Sequence, residues 1–227
     1  VVENNIDKKS RKIRLTGDKV GQREIELLEQ CRAALDEGKL LIDLDLAGDD
    51  EKMLRGYTFL TQKPLLIVLN VSEADIGKGQ PLRQELSEFV SAGKRDIAAL
   101  CGKIEMELVP LDSEERRMFM EELGIKSPAV EKVIQMSYDL LGLISFITAG
   151  PPDVRAWTIR KGTNAQKAAG AVHTDMERGF IRAEVVKYDD YIQYETLANA
   201  RSAGKAHLEG KEYIVGDGDV ILFRFNV

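Results

Sequence analysis

An uninterrupted apolar run at residues 65–69, Leu-Leu-Ile-Val-Leu, is the feature that most constrains the fold of this chain. Strands with one face in water alternate apolar and polar residues, whereas strands covered on both faces are apolar throughout. The run therefore predicts a strand of a parallel sheet. A second apolar strand is predicted at 97–101, with helices at 82–90, 114–123 and 130–141. Strand, helix, strand, helix is typical of part of an α/β sheet.

Two helical stripes precede these strands. The first stripe contains Val2, Ile6, Lys9 and Ile13, and the second contains Val20, Ile25, Leu28, Cys31 and Leu35. Their spacing of three to five residues is typical of one face of a helix. Gly17 separates the stripes and Gly38 follows the second, where a helix C-terminal glycine is expected. The pattern predicts an antiparallel helical hairpin, followed by a short helix at 49–56.

After Gly142 the pattern changes to short alternating runs. Strands are predicted at 143–148, 154–159, 180–186, 212–215 and 220–225, with one helix at 164–172. Glycine-containing turns separate these elements. The order predicts an α+β unit similar to the ubiquitin-like β-grasp.

Composition and charge exclude several classes of protein. The chain is 44% hydrophobic and 31% charged, but its apolar runs are too short for a membrane span. The formal charge of −6 lies wholly in residues 1–142, because residues 143–227 carry 11 basic and 11 acidic side chains. The two cysteines, far apart in sequence, are interpreted as reduced thiols of a cytoplasmic protein.

The phosphate-binding loop of NTPases does not occur in these residues. No stretch fits Gly-x-x-x-x-Gly-Lys-Ser/Thr, whose backbone N–H groups hold phosphates and whose hydroxyl binds magnesium. His173 and His207 are too far apart to suggest a metal site, so the sequence predicts neither a metal site nor a catalytic residue.

Polar residues follow both apolar strands. Asn70-Val71-Ser72-Glu73 comes after the first, and Cys101-Gly102-Lys103 comes at the end of the second. The carboxyl ends of strands in α/β sheets carry ligand-binding residues. An asparagine amide pairs with a purine edge through one donor and one acceptor. The same residues also suit a strand-end turn with polar caps, so the spacing alone leaves both interpretations open.

These two segments resemble the YchF branch of the Obg-related NTPases, in which Asn-x-x-Glu replaces the Asn-Lys-x-Asp of GTPases and a Ser-Ala-Lys-Ile-Glu segment completes the base pocket. The present chain has Cys-Gly where that family usually has Ser-Ala. The resemblance implies a purine-binding site formed by Asn70, Val71, Glu73, Cys101, Gly102 and Lys103.

The resemblance continues through the TGS domain of the same family. It is carried by Val154-Arg155-Ala156-Trp157-Thr158-Ile159, by Glu177-Arg178-Gly179-Phe180-Ile181-Arg182, and by Gly216-Asp217-Gly218-Asp219-Val220. It implies a helical hairpin and connector at 1–60, the C-terminal part of an NTPase domain at 61–142, and a TGS domain at 143–227.

For the intact protein the resemblance implies an ATP-preferring, GTP-tolerant switch that uses magnesium and acts on ribosomes or RNA. Because the family places its phosphate loop ahead of the hairpin, we expect this chain to be a C-terminal fragment that is inactive as an NTPase and holds no cofactor. A module that only binds proteins or RNA is the alternative. An unpaired sheet edge also leads us to expect self-association of the chain.

Six basic residues are candidate contacts to RNA phosphates in the last unit: Arg155, Arg160, Lys161, Arg178, Arg182 and Lys187. They alternate with acids in a segment of zero net charge. The alternative is ordinary surface charge paired with Asp175, Glu177 and Glu184.

Overall fold

The computed structural model describes residues 1–16, 18–78, 84–86, 90, 94–150 and 153–226. The chain divides into two compact units, Val1–Lys126 and Ser127–Val227. No helix in these described ranges is both long and apolar enough to cross a membrane.

The first unit begins with the predicted helical hairpin, helices α1 (Val2–Thr16) and α2 (Lys19–Asp36). Asp18 caps α2 by accepting a hydrogen bond from the N–H of Val20 at 3.0 Å. The buried core of the hairpin contains Val2, Ile6, Leu27, Leu28, Cys31 and Ala34. Val20 and Leu35, which the stripe assigned to this face, are exposed. Val20 lies beside the cap at the start of α2, and Leu35 lies one residue, about 100° of helical rotation, beyond the buried Ala34.

A polar network ties the hairpin to the segment that follows. The Lys9 ammonium and the Tyr57 hydroxyl each donate to the Glu24 carboxylate at 2.7 Å. Burial disfavours the charged form of Glu24, but these hydrogen bonds outweigh it and hold the pKa of the carboxyl below its ordinary value. Helix α3 (Gly48–Leu54) is joined to α2 by the Arg23–Asp50 pair at 2.8 Å.

Strands β1 (Leu65–Asn70) and β2 (Arg95–Leu100) pair in parallel, as predicted, with Leu65 opposite Arg95 and Asn70 opposite Leu100. Leu65 and Val68 are exposed, so the full coverage expected from the apolar run is wrong for this sheet. Among the described residues only these two strands form it, and no layer covers those side chains. The predicted helix at 82–90 lies largely outside the described residues.

Helices α4 (Gly102–Leu108) and α5 (Ser113–Glu122) follow β2. Asp112 and Glu115 form a capping box at the start of α5, which satisfies N–H groups that the first turn leaves unpaired. Ile104, Leu108 and Cys101 form a small buried cluster.

The second unit begins with helix α6 (Ala129–Leu141), which ends at Gly142 in the left-handed conformation, φ 60°. Its sheet contains strands β3 (Leu143–Gly150), β4 (Asp153–Arg160), β5 (Phe180–Lys187), β6 (His207–Glu209) and β7 (Asp219–Phe225). The strand order is β4-β3-β7-β5-β6, with β3 and β7 parallel and the other neighbours antiparallel.

Helix α7 (Ala165–Val172) packs on one face of this sheet and places Ala165, Ala168 and Ala169 in its core. Phe146 is fully buried there and meets Phe223 edge to face at 5.8 Å. Three more helices, not predicted, are α8 (Thr174–Arg178), α9 (Tyr188–Tyr194) and α10 (Leu197–Ser202).

The predicted strand at 212–215 is wrong. The segment makes one isolated bridge, between Ile214 and Asn164, and the nearby strand is β6 instead. Its backbone bonds go to the start of α7: the Val215 N–H donates to Thr163 and the Ala165 N–H donates to Tyr213. The backbone of this segment therefore pairs with the start of α7 and does not extend the sheet.

Candidate functional site

The carboxyl ends of β1 and β2 bring the two predicted base-binding segments together. The Val71 N–H donates to the Leu100 carbonyl at 2.8 Å, which extends the parallel pairing by one residue. The Gly102 N–H then donates to Asn70 Oδ1 at 3.0 Å. This contact spans 32 positions of sequence, and it holds the Asn70 amide in one orientation.

An ion pair closes the same edge of the sheet. The Lys103 ammonium lies 2.6 Å from the Glu73 carboxylate, and the hydrogen bond to Glu73, together with its charge, raises the pKa of Lys103 above its ordinary value. The side chains are 70% and 52% exposed, so water screens their attraction. Glu73 begins a short 3-10 helix, Glu73–Lys78. The two side chains can therefore separate and re-form their ion pair at little cost in free energy.

The chemistry of these groups fits a purine base. Since Asn70 Oδ1 accepts from Gly102, the Nδ2 amide is the group that Asn70 offers as a donor, and the Glu73 carboxylate, three residues further along the chain, is an acceptor. A purine edge presents ring nitrogens that accept and, in adenine and guanine, amino or ring N–H groups that donate. The approach is close, because a Cβ added at Gly102 would lie 3.3 Å from Asn70 Oδ1.

Cys101, which stands where the family usually has serine, contributes no hydroxyl to the site. Its side chain is buried beside Ile104 and Leu108, so it offers the site backbone and no polar side chain. The segment expected as a loop is a helix start, since α4 begins at Gly102. Among the described residues, no group of three His, Cys, Asp or Glu side chains is arranged to hold a metal ion.

The six candidate phosphate contacts of the second unit do not form one surface. Arg178 pairs with Asp175 at 2.8 Å, and Lys187 pairs with the buried Asp219 at 2.5 Å. Arg155 lies over the ring of Trp157, 4.5 Å from its centroid, on the sheet face that carries the core. Each of these three cations therefore already has a partner within the unit.

The remaining candidates lie elsewhere in the same sheet. Arg160 ends β4 and Lys161 is in the following turn, where its N–H donates to the Gly142 carbonyl. Arg182 lies on β5 at a position that alternates with the core residues of that strand. Because successive side chains of a strand point to opposite faces, Arg182 lies on the face of the sheet away from α7. The alternative interpretation of these cations took Glu184 as a surface carboxylate that pairs with them. The structure corrects this, because Glu184 is in mid-strand and is buried.

Comparisons with known proteins identify the family that the chain resembles. A family model named YchF-GTPase_C, described as "Protein of unknown function (DUF933)", matches residues 143–226. The Ribosome-binding ATPase YchF of Pasteurella multocida is 43% identical over 211 residues, 93% of this chain and 58% of that protein. The corresponding protein of Mycoplasma genitalium is 40% identical over 232 residues, 100% of this chain and 62% of that protein.

A solved structure agrees. The chain matches the YchF GTPase of Schizosaccharomyces pombe with a TM-score of 0.79 and 28% identity, over 97% of this chain and 61% of that one. This chain belongs to the YchF family. Obg-like ATPase 1 of Gallus gallus, 38% identical over 233 residues, is also similar. The chain spans between 58% and 62% of the length of these curated YchF-family relatives.

Two groups of residues in this YchF-family chain were not predicted from the sequence. One is the set of Arg201 and Arg224 around Glu184, and the other is the buried Asp219. The only local signal was an acidic residue inside the alternating run 180–186. An unpaired carboxylate is rarely buried, so a carboxylate at Glu184 indicated a basic partner elsewhere in the chain.

Proposed function

We propose that this chain is the base-recognising and ribosome-contacting part of an ATP- or GTP-binding switch of the YchF family. The observation that carries the proposal is the hydrogen bond between Asn70 and Gly102, with the Lys103–Glu73 pair beside it. In this proposal the Asn70 amide is the donor to the base and the Glu73 carboxylate is the acceptor, both at or just after the carboxyl end of the same strand. Two of the relatives are ribosome-binding ATPases, which supports the same activity for the whole protein.

The proposal gives these residues base recognition and leaves the phosphates to other groups. The sequence contains no Gly-x-x-x-x-Gly-Lys-Ser/Thr, the loop that holds a triphosphate and its magnesium. The chain by itself is therefore proposed to be inactive as an NTPase and to act as an interaction module.

We assign the contact role to a TGS domain of β-grasp type at 143–227. Support comes from the five-stranded sheet with α7 packed across one face and from the family match over 143–226. The hairpin and connector at 1–60 and the base-recognising segment at 61–142 complete the proposed division. A ribosome partner predicts a cytoplasmic protein, with ribosomal RNA or protein as the surface contacted.

Weak base binding is tested by NMR. Adenosine or guanosine titrated to millimolar concentration into the ¹⁵N-labelled chain is expected to shift the Asn70 side-chain NH₂ and the Gly102 N–H. Asn70→Ala should abolish the response, whereas Asn199→Ala, a matched amide change in the second unit, should leave it intact. Shifts that survive Asn70→Ala, or that never occur near Gly102, would contradict the base site.

Ribosome contact is tested separately by co-sedimentation of the chain with purified ribosomes. Binding that is retained by a fragment of residues 127–227 would assign the contact to the second unit, whose compact core is described above. Failure of the whole chain to sediment with ribosomes would contradict the contact role.

A further inference from the structure

We propose that Arg182, Arg201 and Arg224 form a single phosphodiester-binding site, organised by the buried carboxylate of Glu184, on the sheet face away from α7. The inference rests on the proposed ribosome contact and names its chemistry. It replaces six dispersed cations with one arginine cluster, two of whose members were not among the sequence candidates.

Glu184 is the centre of the cluster. Arg201 donates to it through Nε at 2.6 Å and Nη2 at 2.7 Å, and Arg224 donates through Nη2 at 3.0 Å. The Glu184 side chain is only 2% exposed, whereas the two arginines are 54% and 50% exposed. An approaching anion therefore meets the guanidinium groups and not the carboxylate.

The carboxylate also fixes the geometry of the cluster. Two parallel N–H···O bonds lock the Arg201 guanidinium in one plane, so little further side-chain entropy is lost when it binds a ligand. A guanidinium carries five N–H donors, and Arg201 uses its Nε and one Nη nitrogen on Glu184. The other Nη group of Arg201 remains available to bind an anion.

Arg182 adds charge that Glu184 does not neutralise. It lies directly opposite Arg224 in the antiparallel register of β5 and β7, on the same face as Glu184. Like charges in this position are unfavourable, because cross-strand neighbours are about 5 Å apart. No ion-pair partner of Arg182 occurs in the described part of the chain. Three arginines and one carboxylate leave a local charge of +2, in a chain whose formal charge is −6.

This arrangement favours a phosphodiester over a carboxylate partner. Planar guanidinium groups bind tetrahedral phosphate through paired N–H donors, and the positive charge is spread over two strands and a helix, as an extended polyanion requires. The backbone of ribosomal RNA is such a polyanion. Leu208 and Leu222, exposed on the same face, provide apolar contacts for the sugars between phosphates.

The experiment uses fluorescence anisotropy of a labelled 20-nucleotide oligouridine with the full chain. Arg182→Gln and Arg224→Gln are each expected to weaken binding about tenfold at low salt, the range for a charge-assisted hydrogen bond. Each should also flatten the dependence of log K on log salt by about 0.7, as for one lost contact on a single strand. Arg178→Gln, which removes a cation already paired with Asp175, is the matched control and should change neither value.

Folding is controlled within the same series. No hydrogen bond or ion pair joins Arg182 to Glu184 in the described part of the chain, so Arg182→Gln should not lower the urea midpoint even if Arg224→Gln does. If Arg182→Gln and Arg224→Gln bind oligouridine with wild-type affinity and salt dependence, the site is refuted, while ribosome co-sedimentation would still uphold the proposed function. Tighter binding of a labelled oligoglutamate, lost in the same variants, would also refute it in favour of an acidic protein partner. If the chain binds neither RNA nor ribosomes, both proposals fail.

Discussion

The two units hold a carboxylate beside a basic side chain in opposite ways. In the first, Glu73 and Lys103 meet at 2.6 Å with both side chains more than half exposed. In the second, Glu184 is buried beneath two arginines that reach it from different elements. An exposed pair contributes little to stability and rearranges easily, whereas a buried carboxylate requires its partners. The proposed base site thus lies beside an ion pair that rearranges easily, whereas the arginines around Glu184 are held in place.

The sheets of the two units also differ in how completely their apolar side chains are buried. The parallel pair β1–β2 leaves Leu65 and Val68 exposed, while the five-stranded sheet buries Phe146, Ile221 and Val185 under α7. We therefore expect substitutions in the second unit to cost more stability than matched ones in the first. Trp157 is the only tryptophan of the chain and lies on β4, so its fluorescence reports unfolding of the second unit.

Phe146→Ala should have the largest effect. The side chain is fully buried and contacts Phe223, so its removal leaves a cavity that costs about 3–5 kcal/mol of unfolding free energy. Urea unfolding followed by Trp157 fluorescence measures the change. Leu208→Ala, an exposed position in the same sheet, is the control and should stay within about 0.5 kcal/mol. Equal losses for the two variants would contradict the assigned core.

Asp219→Asn tests the buried polar network of the second unit. Asp219 accepts from Lys187 at 2.5 Å, from the Tyr213 hydroxyl at 2.8 Å and from the Gly216 N–H at 2.7 Å. An amide turns one of these acceptors into a donor that faces another donor, which should cost about 1–3 kcal/mol. Asp189→Asn, at an exposed position nearby, should have no measurable effect in the same unfolding assay.

Acid should weaken the second unit through Glu184. Hydrogen bonds from Arg201, followed by those from Arg224, hold the pKa of Glu184 below its ordinary value of 4.5. A lowered folded-state pKa contributes stability that is complete above 4.5 and is lost as the pH falls through the folded-state value. Urea midpoints of the wild type and Glu184→Gln should therefore differ at neutral pH and converge in acid. A constant difference across the titration would show that Glu184 makes no such contribution.

Lys103→Gln should have the smallest effect on stability. Its ion pair with Glu73 is exposed to water, so far-ultraviolet circular dichroism should show an unchanged urea midpoint. Lys52→Gln, which removes the exposed pair with Asp49, is the matched control in the same unit. A midpoint lowered as far as in Asp219→Asn would mean that the first unit depends on its site for folding, and the contrast between the units would be lost.

Much of the local structure could be predicted from the sequence. The hairpin helices, the parallel strands β1 and β2, the helix at 165–172 and four strands of the larger sheet agree with their periodicity. The meeting of Asn70 and Gly102 also follows, because consecutive parallel strands end at one edge. These features depend on residues close in sequence or on simple topology.

The arginine cluster could be recognised only in the tertiary structure. Arg201 and Arg224 lie 17 and 40 positions from Glu184, and no local pattern indicates which basic residues would reach it. The same holds for the exposure of Val20 and Leu35, which lie at the ends of the α2 stripe, and for the segment at 212–215, whose backbone bonds go to the start of α7. Periodicity specifies which element a segment forms. Strand register and packing decide which side chains meet, since they depend on partners distant in the chain.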